Sequence, residues 1–204
     1  MEVLELKPLK KKRVCAYVAK KKKDDFNDFY LDKLRDFIIR KKIDFITIDF
    51  NVDMKEFNDS ELAKTLNEMN IRYFQVDIPE YAMGYIYQEI VEKTELLNDL
   101  CGEFESMKEK DTLKGESLKN WIDVLREDIQ EKEIYISLRL RPQWIVKKML
   151  DIAKTIKTEE VSLLHLVQAD ICEDICNQVT EYLRELDVKV VQYTKKHNII
   201  NVEF

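Results

Sequence analysis

Glycine is nearly missing from this 204-residue chain: Gly84, Gly102 and Gly115 are the only three, and they stand apart from one another. Glycine-rich phosphate loops need that residue because the backbone must turn tightly and approach the ligand closely. A P-loop and a GxGxxG dinucleotide fingerprint are both excluded. Histidine is scarcer still, with His165 and His197 alone, which excludes HExxH zinc hydrolases and any three-histidine centre. The GxSxG elbow of α/β-hydrolases is missing too. No apolar run reaches the roughly 18–20 residues that span a bilayer, so no membrane partner is expected. The opening MEVLELKPLKKKR has no apolar stretch resembling a secretory signal. Cys15, Cys101, Cys172 and Cys176 lack the spacing of a disulfide framework, so reduced thiols in a cytoplasmic protein are the expectation.

Against these gaps, 45% of the residues are hydrophobic and 36% charged, enough to build a core of normal size. Charge is unevenly placed. Residues 1–23 carry nine Lys/Arg against Glu2 and Glu5, a balance of +7, so with a total of −6 the remainder stands at −13.

Val14 to Ala19 reads as a buried strand. Phe26, Phe29, Tyr30, Leu34, Phe37 and Ile38 recur at spacings of three and four and predict an amphipathic helix over about 25–41. Ile43–Phe50 predicts a second strand, and Asn58, Asp59 and Ser60 can cap a short helix. Ile71–Ile78 predicts a third strand. This alternation is the βαβ signature of a parallel sheet.

The rhythm then breaks. Pro79 opens a helical stretch to about Lys110, and a second runs from Glu116 to about Lys132 with Leu118, Trp121, Ile122, Leu125 and Ile129 on one face. The short link between them predicts an antiparallel hairpin. Ile134, Ile136, Leu138 and Leu140 alternate with polar neighbours and predict an extended segment. Pro142 starts another helix. Val161–Val167 and Val188–Tyr193 predict strands flanking a helix that Asp170 can cap, and Ile200, Val202 and Phe204 predict a terminal strand.

The expected fold is α/β, a Rossmann-like open sheet of about five mainly parallel strands with helices on both faces. The helical hairpin at about 80–133 is inserted after the third strand. In domain terms this is a basic segment, 1–13, followed by one α/β domain, 14–204.

Ligands of open α/β sheets sit outside the carboxyl ends of the strands. Asp49 and Asp53 end the second strand, and Asp77 ends the third. Hard divalent cations take oxygen ligands, so these three carboxylates are candidate ligands for Mg²⁺ or Mn²⁺. Other acids there, such as Asp24, Asp25 and Asp170, equally suit helix N-termini. Lys20 and Lys21 after the first strand, with Arg139 and Arg141 before a helix start, are candidate anion-binding groups. Trp144 could stack on a ring, or the arginines could pair with the acidic hairpin. Cys172 and Cys176 lie four apart near His165, a spacing that suits metal ligands and small core residues alike.

The basic N-terminal residues could meet nucleic-acid phosphates, although the chain as a whole is acidic and no stacking motif accompanies them. Ile86, Ile90, Leu96, Leu97, Leu100, Phe104 and Met107 give the hairpin more apolar material than one partner helix covers. Leu97, Leu100 and Phe104 are therefore candidate interface residues.

Three readings follow. The first is a non-catalytic ligand-binding or protein-interaction module, self-associating or binding another protein through its hairpin. The second is a Mg²⁺- or Mn²⁺-dependent enzyme acting on a phosphate-containing substrate. The third, less favoured, is nucleic-acid binding through the basic N-terminal region.

Overall fold

The computed structural model of the chain describes residues 6–9, 11–21, 28–49, 54–168 and 173–193. Five strands form one parallel sheet: β1 (Arg13–Lys21), β2 (Phe45–Ile48), β3 (Arg72–Gln75), β4 (Glu160–Gln168) and β5 (Lys189–Tyr193), in the order β3-β2-β4-β1-β5. Helix α1 (Asp28–Lys41) links β1 to β2. The short α2 (Met54–Asn58) and α3 (Glu61–Glu68) link β2 to β3, and α7 (Glu173–Glu185) links β4 to β5. The connections out of β1 and β2 step towards one edge of the sheet, and the connection out of β4 steps towards the other. With right-handed crossovers this places helices on both faces.

The strand sequences explain the two-sided burial. Ala19, Ile46, Ile48, Leu164 and Leu166 meet Leu31, Leu34, Phe37 and Ile38 of α1 and Leu62, Ala63 and Leu66 of α3 in one buried cluster. The alternate positions Val14, Ala16 and Val18 on β1, Phe45 and Thr47 on β2, and Leu163, His165 and Val167 on β4 are buried as well. Strands covered on both faces read as nearly continuous apolar runs, and IDFITIDF and VSLLHLV do so. Each large side chain buried in this way contributes about 1.5–3 kcal/mol.

Glycine's scarcity is felt at the helix ends. Lys42, Asn70 and Asp187 each hold a positive φ, at 50°, 55° and 59°. All three close a helix in the same way. Ile43 N–H donates to Ile38 O at 3.1 Å, Ile71 to Leu66 at 2.9 Å and Val188 to Leu183 at 3.0 Å, with the residue before each donating three positions back. This is the Schellman turn, in which an apolar residue just past the helix packs back on its last turn. Ile38, Ile43, Leu66, Leu183 and Val188 are buried accordingly. Three αβ links thus share one geometry with no glycine in any of them.

The chain divides into two compact units, residues 1–77 with 140–204, and residues 78–139. The sheet belongs to the first. The second contains α4 (Glu80–Ser106) and α5 (Leu113–Tyr135), followed by a π-helical turn over Ile136–Leu140. Helix α4 has 27 residues and is about 40 Å long. The two helices run antiparallel, as the pairs Glu89–Lys132, Lys93–Asp128 and Glu103–Lys114 show. Thr112 caps α5 by accepting the Gly115 N–H at 3.2 Å. A Cβ on Gly115 would run into the Lys110 carbonyl, so this link requires glycine there.

The expected extended segment at 134–140 is helical instead. Helix α5 ends at Tyr135, the π turn follows directly, and α6 (Arg141–Thr155) begins without a non-helical residue between. Adding residues to an existing helix costs far less than starting one, and no glycine or turn residue interrupts this stretch. Period-two alternation over seven residues was a weaker signal than that continuity. Pro142 is the second residue of α6, directly after the π turn. Asp24, Asp25, Asp53, Asp170, Cys172, His197 and the expected terminal strand at 200–204 lie outside the described residues.

Candidate functional site

At the carboxyl edge of the sheet, Asp49 follows β2 and Asp77 lies two residues beyond β3. Val76 N–H donates to Ile48 O at 2.9 Å, carrying the parallel ladder up to this point. Arg141, the first residue of α6, reaches the same edge. Its Nε donates to Asp77 Oδ1 at 2.7 Å, and its Nη2 donates to Asp77 Oδ2 at 2.8 Å and to the Asp49 carbonyl at 3.1 Å. The pair is largely removed from water, with side-chain exposures of 13% and 16%. Two parallel N–H···O bonds make this the strong, directional form of an arginine–carboxylate contact. The guanidinium thereby ties the start of α6 to the ends of β2 and β3.

Beneath it lies a buried polar pair. Thr47 and His165 face each other in register across β2 and β4, and Thr47 Oγ1 is 3.0 Å from His165 Nδ1. Both residues have no exposed surface. Burial pushes the imidazole pKa down to about 3, a hydrogen bond with the Thr47 backbone works against that shift, and the positive charge of Arg141 adds to it. The ring is neutral at pH 7. Its Nε2 has no hydrogen-bond partner among the described residues.

The structure therefore brings Asp49, Asp77 and Arg141 together. Asp77 was a candidate metal ligand and Arg141 a candidate anion ligand, and here they bond to each other. A cation at Asp77 would have to compete with a guanidinium already seated on both carboxylate oxygens. Asp49 is fully buried. Among the described residues no three His, Cys, Asp or Glu side chains cluster as a metal site. Lys20 and Lys21 are the last two residues of β1, in register with Val167 and Gln168. Arg139 is exposed and belongs to the other unit. Trp144 carries Lys148 Nζ over its ring at 5.0 Å. Cys176 is buried, and Lys12 of the basic segment donates to the carbonyls of Ala153 and Lys154 at the end of α6.

The unit of residues 78–139 offers a different surface. Inside the pair, Lys93 and Lys132 alternate with Glu89 and Asp128: Lys93 bonds to both acids, Lys132 reaches Glu89 at 3.0 Å and Asp128 at 3.3 Å. Lys93 holds Glu89 and Asp128 below the ordinary carboxylate range, Lys132 assisting, and Asp128 in turn raises Lys93. Leu97, Leu100 and Phe104 are each half-buried, and Lys110 lies 5.0 Å above the Phe104 ring.

Other apolar residues face water. Of the nine large hydrophobic side chains exposed among the described residues, eight lie in this unit: Tyr85, Tyr87, Val91, Leu96, Leu113, Trp121, Val124 and Ile134. Trp121, expected on the inner face of α5, is 64% exposed, while Leu118 and Ile122 are buried. Its place in the chain explains the difference. The inward row of α5 runs 115, 118, 122, and position 121 lies about 60° round the helix from 118. Leu96 was part of the apolar surplus read from the sequence. Trp121 was not separable from its core neighbours Leu118 and Ile122 by composition alone.

The fold and these two regions define an open parallel α/β protein with a helical pair between its third and fourth strands. In comparisons with protein-family models, curated proteins and solved structures, the chain matches none. Among the described residues, no helix is long and apolar enough to cross a membrane.

Proposed function

We propose that this chain is a non-catalytic protein-interaction module, and that its working surface is the helical pair of residues 78–139. One observation carries the reading: the exposed large apolar residues are concentrated there, while only Ile39 stands exposed in the sheet unit among the described residues. Scattered single hydrophobes need no explanation, but a concentration on one element marks a binding surface. The cytoplasm is the setting we assign, in keeping with thiols at Cys15 and Cys101 that form no disulfide among the described residues. At the carboxyl edge, the bond between Arg141 and Asp77 weighs against the alternative of a metal-dependent enzyme, because each group neutralises the other.

Cross-linking with an amine-reactive reagent in clarified extract, read by mass spectrometry, tests the assignment. Intermolecular links are expected on Lys108, Lys114 and Lys119 of the helical pair in preference to Lys33, Lys55 and Lys64 of the sheet unit. Links spread evenly over both sets, or confined to the sheet unit, would remove the helical pair as the working surface.

A further inference from the structure

The acidic character of the helical pair identifies what it would hold. Residues 78–139 contain fifteen Asp/Glu and eight Lys/Arg, a net charge of −7. Most of the basic groups are engaged within the pair. Lys93 and Lys132 sit in the ion-pair network with Glu89 and Asp128, Lys114 bonds to Glu103 at 2.7 Å, Lys110 covers the Phe104 ring, and Arg126 lies 3.6 Å from Asp123. Along one side of α5 the apolar residues Leu113, Trp121 and Val124 follow one another at spacings of eight and three. The same row continues into Glu127 and Glu131, both exposed. An apolar patch therefore runs directly into a negative one.

We infer that this surface receives a cationic amphipathic segment of a partner protein, with apolar side chains at helical spacing set against Leu113, Trp121 and Val124 and with Lys or Arg facing Glu127 and Glu131. The inference rests on the interaction reading above. Charge decides among the occupants. A second copy of the same surface would set −7 against −7, and a nucleic acid or an anionic membrane would meet like charge, whereas a basic segment finds opposite charge around an apolar centre. Helix-in-groove recognition takes anchors at i, i+3/i+4 and i+7, and an exposed tryptophan is the residue type most often found at the energetic centre of such contacts. Trp121 can serve both apolar side chains and, through its ring face, a lysine or arginine.

Three labelled peptides test this against the full chain by fluorescence anisotropy. One carries leucine and lysine at helical spacing. The second replaces its lysines by glutamate, and the third keeps the lysines and replaces its leucines by serine. The first is expected to bind, with affinity falling as salt rises. The second should not bind, and the third should bind at least about tenfold more weakly, since its apolar anchors no longer leave water on binding. Trp121→Ala should weaken the first peptide about thirtyfold, and Glu127→Gln with Glu131→Gln should flatten the salt dependence. Asp36→Asn with Asp59→Asn, on the sheet unit, should change nothing. Equal binding of all three peptides would overturn the inference, as would an equal loss from the sheet-unit substitutions or tighter binding of an oligonucleotide. Should no peptide bind while cross-links still map to the helical pair, the cationic occupant fails and the interaction reading survives.

Discussion

Arg141→Ala should lower the melting temperature of the protein by roughly 5–15 °C. The guanidinium makes three hydrogen bonds at 2.7–3.1 Å, two to Asp77 and one to the Asp49 carbonyl. Its loss leaves a largely buried carboxylate without that cation and a strand-end carbonyl without that donor. Breaking a buried ion pair costs about 3–5 kcal/mol, and the residual exposure of this pair puts the expected cost at about 2–4 kcal/mol. At about 2–4 °C per kcal/mol for a chain of this size, the shift should be plain in a thermal melt. The double substitution Arg141→Met with Asp77→Leu should recover a good part of the loss, because removing both charges also removes the cost of burying them. A fall of less than 2 °C for Arg141→Ala would mean that α6 is not held to the sheet edge by this contact.

The second large effect is on the acid side of the stability profile. His165 has its folded-state pKa pushed down to about 3, against an ordinary value of 6.5. In the native protein the ring is neutral, and in the unfolded chain it takes up a proton below about pH 6.5. The unfolded state therefore binds more protons between these values, and stability must fall as the pH drops from 6.5 towards 3. Above pH 6.5 His165 contributes no slope. Each unit within the window corresponds to about 1.4 kcal/mol at the limit, so the loss by pH 4 amounts to a few kcal/mol.

His165→Gln keeps a neutral polar side chain beside Thr47 but cannot be protonated. It should be less stable than the wild type at pH 7.5, and its stability should decline less steeply between pH 6.5 and 4.5. In a Trp121→Phe background, Trp144 fluorescence reports the sheet unit alone in urea melts at each pH. Parallel profiles for the two proteins would show that the histidine does not reach its native place as a buried neutral ring.

The sheet was legible because its strands announce themselves chemically. Runs such as VCAYVA, IDFITIDF and VSLLHLV have no polar face to present to water, and with amphipathic helices between them only a parallel, doubly covered sheet satisfies them. The order β3-β2-β4-β1-β5 was not legible. Hydrophobic pattern specifies which faces are buried, and it says nothing about which neighbour each strand chooses. The helical state of 134–140 was hidden for a related reason, since IYISLRL fits either period and its neighbours decide.

At the carboxyl edge, the residues were found and their relation was not. Asp77 and Arg141 were each selected for an external ligand, a cation and an anion. Sixty-four positions apart in the chain, they give no local signal that they meet. Thr47 and His165, separated by 118 positions, pair only because β2 and β4 are neighbours. On the helical pair, the surplus of apolar residues was visible in the sequence. Which of them remain exposed depended on the few tens of degrees that separate Trp121 from Leu118 on the α5 surface.

The interaction reading is tested most directly by native mass spectrometry of the untagged protein, purified gently from the cells that make it, beside a variant carrying Trp121→Asp and Val124→Asp. Both positions are more than 60% exposed, so the variant should fold, and its circular dichroism and melting temperature should match the wild type. The wild type should appear as the 24.4 kDa chain joined to a second, different polypeptide, and the variant as the chain alone. A wild type that carries only a metal ion or a nucleotide, retained unchanged in the variant, would contradict the reading and move function to the carboxyl edge of the sheet.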